Sequence, residues 1–551
     1  MGKPTSFFNQ QIIMKHSLIL FSFFACIKLG FSQQKTPPHL SKQGTGAQFI
    51  VNDKPFLILG GELGNSSASS ETYMQPNWGK LKQMHLNTVL TPVYWELLEP
   101  EENKFDFGLV DMAIKNARQN NLKIVFLWFG AWKNSMSCYA PAWVKKDQQR
   151  FSRAQNQDGK GLEILSAFDD NNLQADIKAF KKLMTHIKEI DAQQQTVIMI
   201  QVENEVGMLT EAREYTPQAN ELFQKDVPVE LINYLQQHKE NLVPELKDRW
   251  ASQNFTTGNW EKMFGKSLET DEIFQAWFYA KYVGKVAAAG KSIYNIPMYV
   301  NAALNYRNVK PGQYPSAGPL PQVMDIWQAA APAINMLSPD FYNPYFKHYC
   351  DLFTRQNNSF FIPEIKFETD DASKVFSAIG HYKSMGFSPF SLESSQHPAT
   401  EPIAKSYDIL QQLSPFILNQ KPILGMDGAL VEKETAPEII KLGKYEIKVV
   451  HELTMGWETH AKDSVWSMGG CIILQTGEDE FIIAGTGIVC TFTTIAKDAT
   501  VGILSSDEGH FENGNWIAGR RMNGDQDHQG RHIRVESGEW NIQKVKLYSY
   551  K

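Results

Sequence analysis

The amino-acid sequence predicts an α/β protein, a (β/α)8 barrel of the TIM type followed by a smaller all-β sandwich domain. Between about residues 50 and 395, eight short apolar runs alternate with longer amphipathic stretches, and the runs end in polar or acidic residues. Continuous apolar runs are typical of parallel strands buried on both faces. After about residue 420, Gly-rich turns separate short β-rich runs of alternating polarity, which is typical of a sandwich.

Length and strand order predict the domain boundaries. A chain of 551 residues is too long for one ordinary core. We expect a signal peptide at 1–32, a catalytic barrel at 45–420 with an insertion at about 208–290, and a sandwich at 421–551. The insertion is expected to cover part of the barrel mouth. The predicted barrel strands are 56–63, 87–95, 123–132, 197–205, 297–304, 334–342, 360–367 and 387–394.

The N-terminus has the pattern of a secretory signal. A short basic start at 14–16 precedes an apolar run of about a dozen residues, which is too short to span a bilayer. We expect cleavage near Ser32 and a secreted or periplasmic protein that is not membrane-spanning. Lipoprotein acylation at Cys26 and a buried N-terminal helix are the alternatives. Export permits a disulfide between Cys471 and Cys490, and two buried free thiols fit these positions equally well.

Composition and missing motifs exclude several function classes. The formal net charge of −6 and the lack of a basic stripe argue against nucleic acid as a partner. No Cys/His cluster has zinc spacing, and no His-Glu-x-x-His or Gly-x-Ser-x-Gly pattern occurs, so metalloprotease and lipase functions lack support. We expect neither a metal nor an organic cofactor. The 12% aromatic content suits carbohydrate stacking.

Two acids at strand ends suggest the chemistry. The stretch I-Q-V-E-N-E-V-G at 200–207 places Glu205 at the end of the fourth run, and P-E-I-K-F places Glu364 at the end of the seventh. Catalytic groups of this barrel lie at the carboxyl ends of strands, and strands four and seven face each other. Two opposed carboxylates are what glycoside hydrolysis requires. The amide of Asn204 can donate a hydrogen bond to a substrate hydroxyl beside the reacting carbon.

Further candidates end other strands. Glu62 and Glu393, at the ends of strands one and eight, either contact substrate or make structural hydrogen bonds. A stacking wall is expected from Trp95, Trp128 and Trp132, with at least one of them lining the site, although packing in the core is the stronger expectation for any single one. Tyr342 follows strand six and is assigned to the site rather than to the core.

Two motifs resemble those of glycoside hydrolase family 35, the retaining β-galactosidases. Q-V-E-N-E-V-G is similar to the acid/base motif of that family, and T-P-V-Y-W-E-L-L-E-P-E-E-N-K-F-D-F is similar to its second-strand signature. The resemblance implies that Glu205 is the acid/base, Glu364 the nucleophile and Asn204 a 2-hydroxyl ligand. It also implies that Tyr94 lines the sugar pocket. The C-terminal domain resembles the small β-domain of a bacterial branch of the family.

The third strand departs from the family pattern. Its sequence, F-L-W-F-G-A-W-K-N-S, has no match to the galactose-binding glutamate of that motif, and Asn134 or Ser135 stands near its place. This difference bears on which sugar is bound more than on how the bond is broken.

The motifs together lead to a functional expectation. We expect a retaining exo-β-galactosidase that removes terminal galactose from oligo- or polysaccharides, with plant cell-wall glycans as the natural substrate. Glu205 is expected to have a raised pKa beside an ionised Glu364, at a carboxyl separation of about 5–5.5 Å. A retaining β-glucosidase or α-L-arabinosidase of the same clan and a non-catalytic carbohydrate-binding protein are the alternatives.

Overall fold

The structure, a computed structural model, describes residues 35–43, 46–495 and 498–551. The expected signal peptide and Cys26 therefore lie outside the described residues. The strands that precede the C-terminal domain are β1 (His39–Gln43), β2 (Gly46–Val51), β3 (Lys54–Pro55), β4 (Ile58–Glu62), β5 (Thr88–Tyr94), β6 (Lys123–Lys133), β7 (Arg153–Gln155), β8 (Gly161–Leu165), β9 (Val197–Asn204), β10 (Met298–Ala303), β11 (Met336–Phe341), β12 (Ile362–Ile365) and β13 (Gly386–Pro389).

Eight of these strands form a closed parallel barrel, as the sequence predicts. Their order around the barrel is β4, β5, β6, β9, β10, β11, β12 and β13, which is their order in the chain. Each observed strand lies within two residues of its predicted limits at either end except β13, which ends five residues earlier. Nearly every residue of the eight strands is buried, which explains their continuous apolar character. The fold-class prediction is confirmed.

Helices surround the barrel and lie on its mouth. The long helices have well-defined starts, since the side chain of Asp169 accepts a hydrogen bond from Asn171 N, and that of Ser267 from Thr270 N. The helices are α1 (Glu71–Met74), α2 (Asn77–Gln83), α3 (Trp95–Leu98), α4 (Gly108–Gln119), α5 (Ala142–Lys146), α6 (Asp170–Asp191), α7 (Pro217–Gln224), α8 (Val229–Gln237), α9 (Pro244–Ser252), α10 (Trp260–Phe264), α11 (Leu268–Lys291), α12 (Met324–Ala330), α13 (Phe346–Phe353), α14 (Asp371–Gly380) and α15 (Pro402–Ile417).

The insertion after β9 is shorter than the predicted range of about 208–290. It consists of the four short helices α7 to α10. Helix α11, which the predicted range includes, packs against α6 and α12 and leads into β10, so it belongs to the ring of barrel helices. Its sequence is apolar on most sides because it is covered by the barrel on one face and by the insertion on the other.

Two antiparallel sheets form the C-terminal domain. One sheet has the order β14-β17-β18-β23-β20-β21 and the other the order β15-β16-β19-β22. The strands are β14 (Gly425–Val431), β15 (Glu438–Leu442), β16 (Tyr445–His451), β17 (Gly469–Gly477), β18 (Glu480–Thr486), β19 (Ile488–Thr494), β20 (Thr500–Glu512), β21 (Asn515–Met522), β22 (Ile533–Val535) and β23 (Asn541–Tyr550).

The central strands β17 and β18 of the larger sheet are buried on both faces. Ile473 on β17 points into the core between the two sheets, whereas its neighbours Ile472 and Leu474 join the core of the barrel. This alternation follows from the two-residue repeat of a strand. Helix α14 packs directly on β14 and β17. The sandwich therefore rests on the barrel through an apolar sheet face.

Cys471 and Cys490 face each other in the sandwich core as free thiols. A hydrogen bond that the Cys490 thiol donates to Cys471, and then burial, raise the pKa of the Cys490 thiol. Of the two arrangements the sequence allows, the structure shows the one with buried free thiols.

In the described part of the chain, no helix has both the length and the apolar character that crossing a membrane requires.

Leu474→Ala tests the contact between the sheet and the barrel. Leu474 is fully buried, so the truncation should lower the free energy of unfolding by about 2–5 kcal/mol, measured by chemical denaturation. Ile439→Ala, at a half-exposed position of β15, serves as the control and should change stability little. Equal effects of the two variants would contradict the packing described here.

Candidate active site

Four carboxyl groups meet at the carboxyl ends of the barrel strands. Glu62 ends β4, Glu205 follows β9, Asp340 lies near the end of β11, and Glu364 lies on β12 opposite Asp340. All four side chains are buried, with Glu205 at 6% and Glu364 at 4% exposure. We call this group the four-acid cluster. Charge on any one member raises the pKa of its neighbours, because a dry pocket screens charges poorly.

The pKa values of the two predicted catalytic acids are both raised. Burial raises the pKa of Glu205, while Lys133 and a hydrogen bond from Asn134 act in the opposite direction. Burial, and then the charge on Glu205, raise the pKa of Glu364 to about 7. Lys133 and a hydrogen bond from the Tyr342 hydroxyl keep it from rising further. Glu364 is therefore ionised above about pH 7. Because a charged Glu205 contributes to this shift, the arrangement expected from the sequence, a protonated Glu205 beside an ionised Glu364, stays a prediction.

Glu62 and Asp340 hold their protons most strongly. Burial is the main cause in each case, and the charge on Glu364 is the second. Glu62 keeps its proton beside Glu364, and neither of its carboxyl oxygens has a hydrogen-bond partner among the described residues. Glu62 therefore lies in the pocket, and its contact with substrate stays a prediction.

Lys133 is the cation that acts on this cluster. It is the last residue of β6, only 4% exposed, and it lowers the pKa values of Glu62, Glu205 and Glu364. Its ammonium group lies 5.1 Å from the ring centroid of Phe129. A lysine at this position offsets part of the charge that the acids would otherwise build up.

Three asparagines connect the strand ends. Asn301 accepts a hydrogen bond from the backbone N of Glu205 at 3.0 Å and donates one to Asp340 at 2.5 Å. The amide of Asn134 donates to the carboxylate of Glu205. The carbonyl of Asn204 accepts from the backbone N of Asn134 at 3.5 Å, and its buried amide nitrogen has no partner among the described residues. That nitrogen is free to donate to a ligand.

The backbone around Glu205 is strained. Glu203 and Glu205 have φ values of 61° and 43°, and at the end of the neighbouring strand β6 Asn134 and Ser135 have φ values of 48° and 66°. A left-handed backbone conformation at a non-glycine residue is energetically unfavourable, and such residues occur often at functional sites. Here it breaks the regular alternation of both strands, because β6 bulges between Trp128 and Lys133 where it pairs with β9.

A second pair of buried acids lies behind the site. Glu203 accepts a hydrogen bond from the backbone N of Trp132 at 2.8 Å, and Asp176 on α6 accepts one from the indole of Trp128 at 2.9 Å. Burial, and then the charge on Asp176, raise the pKa of Glu203. Gly130 leaves room for this carboxyl, since a Cβ there would lie 2.7 Å from Glu203 Oε1. Glu203 thus holds the β6 bulge that carries Lys133.

The predicted stacking wall of Trp128 and Trp132 is wrong. Both side chains are fully buried and turned outward from the barrel. Trp128 packs on α6, and the indole of Trp132 donates to the carbonyl of Leu165 at 3.2 Å while its ring contacts Tyr282 on α11. The register of β6 against β9 is regular from Val125 to Trp128, so the ordinary alternation of the strand directs Trp128 toward the helices.

The other predicted site residues differ in how far their side chains are buried. Tyr342 is 44% exposed, and its hydroxyl donates to Glu364 at the mouth of the pocket. Tyr94 is buried against Phe129 at 6.1 Å between ring centroids. Glu393 accepts hydrogen bonds from the backbone N of Gly64 at 2.8 Å and from the hydroxyl of Ser67 at 2.5 Å, so it ties the loops after strands one and eight together. One of its oxygens remains without a partner among the described residues.

The sequence interpretation missed Lys133, Asp340 and Asn301. Asp340 could have been found by the rule that identified Glu364, because it too is an acid that ends an apolar run. Lys133 gave no comparable signal, since a lysine after an apolar strand is usually a solvent-exposed end.

Comparisons with known proteins support part of this interpretation. Residues 66–263 match the model of β-galactosidases of glycoside hydrolase family 42. This stretch is β-galactosidase-like. Residues 403–534 match a domain of unknown function (DUF5597). The resemblance to family 35 in particular stays a prediction.

Individual relatives are distant. The chain is 26% identical over 258 residues to a β-galactosidase of Xanthomonas manihotis, which covers 44% of this chain and 41% of that protein. It is 28% identical over 201 residues to the human β-galactosidase-1-like protein 3, covering 35% and 29%. The chain thus spans less than half the length of these relatives. A β-galactosidase structure from Marinomonas ef1 has a TM-score of 0.45 at 10% identity, covering 65% of this chain and 60% of that one.

The pair Glu203→Ala and Glu203→Gln tests the acid pair behind the site. The alanine variant leaves the buried N–H of Trp132 without its acceptor, so it should lose at least about 1–3 kcal/mol of stability. The glutamine variant keeps an acceptor for that N–H and gains a donor for Asp176, so its melting temperature should lie close to that of the wild type. If glutamine is as destabilising as alanine, Glu203 does not act through these hydrogen bonds.

Proposed function

We propose that the protein is a retaining exo-β-galactosidase, secreted or periplasmic, that removes terminal β-linked galactose from oligo- or polysaccharides. The observation that carries this proposal is the joining of Glu205 and Glu364, from strands on opposite sides of the barrel, in one buried electrostatic cluster. The β-galactosidase-like stretch at 66–263 supports the same substrate class.

Glu364 is assigned the nucleophile. Its ionised carboxylate attacks the anomeric carbon and forms a covalent glycosyl-enzyme intermediate. The charge of Lys133 and the hydrogen bond from Tyr342 favour the ionised form. The Tyr342 hydroxyl also orients the carboxylate for attack.

Glu205 is assigned the acid/base. Burial favours its protonated form, so it can give its proton to the departing oxygen. In the intermediate Glu364 is esterified and carries no charge. Glu205, now ionised, takes a proton from a water molecule as that water attacks the intermediate. The galactose is released with its β configuration kept. The unpartnered amide of Asn204 is placed to bind the 2-hydroxyl of the sugar.

A retaining glycosidase with another sugar specificity is the second candidate. The observation that favours it is the third strand end, where Lys133 and Asn134 stand near the place of the galactose-binding glutamate of family 35. A panel of nitrophenyl β-glycosides and α-L-arabinosides compares the sugars directly. We propose a plant cell-wall side chain that ends in galactose as the natural substrate.

Glu364→Gln and Glu205→Gln test the two roles. We expect Glu364→Gln to lower kcat by about a thousandfold or more on nitrophenyl β-galactoside. Glu205→Gln should lose more activity on a disaccharide than on the nitrophenyl substrate, because nitrophenolate departs with little help from an acid. Glu189→Gln on the exposed face of α6 is the control. Unchanged hydrolysis in Glu364→Gln would exclude it as the nucleophile.

The pH dependence of kcat/KM tests the raised pKa of Glu364. Attack requires the ionised form, so kcat/KM should fall about tenfold per pH unit below about pH 7. Tyr342→Phe removes a hydrogen bond that lowers this pKa, so its acid limb should move to higher pH. Tyr306→Phe, at an exposed tyrosine, should leave the limb in place. An unmoved limb in Tyr342→Phe would refute the link between the hydroxyl and Glu364.

A further inference from the structure

The sandwich has its own cavity, far along the chain from the four-acid cluster. It has a volume of about 550 Å³ and opens over the outer face of the four-stranded sheet. Its floor is formed by outward-facing residues of β16 and β19, among them Val450 and Val489. The loops at 431–437, 451–455 and 528–532 form its walls. An apolar floor with polar groups around it is typical of a small-molecule site.

One wall presents a buried polar group with no protein partner. His532 lines the cavity at 2% exposure, and its Nε2 has no hydrogen-bond partner among the described residues. Burial, and then the neighbouring His528, lower the pKa of His532 to about 4, so the imidazole is neutral. The other buried histidine of the cavity, His451, uses both nitrogens, with Leu453 N and with the carbonyl of Ser467. A buried nitrogen without a partner is costly unless a ligand or water satisfies it.

An exposed indole stands beside this histidine. Trp457 is 49% exposed, and its ring centroid lies 5.2 Å from that of His528 and 5.8 Å from that of His532. The guanidinium of Arg534 lies 5.6 Å from the Trp457 ring and fixes the indole from one side. A large aromatic surface held open to solvent is what a pyranose ring stacks against.

The charges around the cavity do not balance. Lys448 and Arg531 both line it and are exposed, and neither has an ion pair among the described residues. Arg531 contacts His528 at 2.9 Å. Of the described residues that line the cavity, Glu432 is the one carboxylate, and the nearby Asp527 is occupied by Gly530 N at 3.0 Å. Arg534, by contrast, is matched by three glutamates.

We propose that this cavity is a non-catalytic binding site for a saccharide that carries a carboxylate, such as a uronic acid unit. The carboxylate is bound by Lys448 and Arg531, the sugar ring stacks on Trp457, and a hydroxyl bonds with His532. Such a site gives the domain of unknown function a role in holding the enzyme on an acidic polysaccharide. That role rests on the proposed hydrolase function, whereas the binding itself does not.

The test is calorimetric titration of the full chain with trigalacturonate, galactotriose and sodium sulfate as probes. We expect trigalacturonate to bind, with an affinity that falls as salt is added, because the contacts are ionic. Galactotriose and sulfate should each bind at least about tenfold more weakly, since each offers only part of the recognised chemistry. The imidazole resonances of His532 should shift during the trigalacturonate titration.

Variants at the surface make the test specific. Lys448→Gln, Arg531→Gln and Trp457→Ala should each weaken trigalacturonate binding about tenfold or more. Lys441→Gln is the matched control, because Lys441 is an exposed lysine of the same sheet that pairs with Glu446 instead. All of these positions are exposed, so the substitutions should leave the fold intact. Circular dichroism checks that each variant is folded.

The proposal is overturned by any of three results: no binding of trigalacturonate, equal binding of galactotriose, or equal binding of sulfate alone. Loss of affinity in Lys441→Gln equal to that in Lys448→Gln would also overturn it. A protein that binds trigalacturonate but cleaves no β-galactoside would refute the proposed hydrolase and leave this site standing.

Discussion

The site depends on like charges being brought together in a dry pocket. A closed parallel barrel directs the carboxyl end of every strand to one rim, so acids at the ends of different strands are held close to one another. Glu62, Glu205, Asp340 and Glu364 cannot all ionise there, and burial makes each ionisation costly. Retained protons and the charge of Lys133 resolve the conflict. The protons are then divided unevenly among the four acids.

The same conflict has a cost in stability. The pKa of Glu364 rises from an ordinary 4.5 to about 7 on folding. Between those two pH values the unfolded chain ionises this group and the folded protein does not. The stabilising contribution is present below pH 4.5 and is lost as the pH rises through about 7. Hydrogen bonds to Glu364, such as the one from Tyr342, limit the loss.

The sequence was informative where one rule governs a whole strand. Buried parallel strands are apolar throughout, so the eight runs and their order could be predicted, and with them the positions of Glu205 and Glu364. The sequence was uninformative where strands depart from regularity. The register of β6 against β9 shifts between Trp128 and Lys133, and this bulge is held by Glu203 from the neighbouring strand. Such long-range hydrogen bonds leave no periodic pattern.

The protonated state of the resting pocket has a consequence for inhibitors. A cationic sugar mimic, such as a ring with a protonated amine, gains most from a pocket whose acids are ionised. Binding should therefore release protons to the buffer, and the heat of binding should vary with the ionisation enthalpy of the buffer chosen. An uncharged sugar does not require the acids to be ionised. The affinity of the cationic mimic relative to that of the sugar should therefore rise with pH, until the amine itself loses its proton.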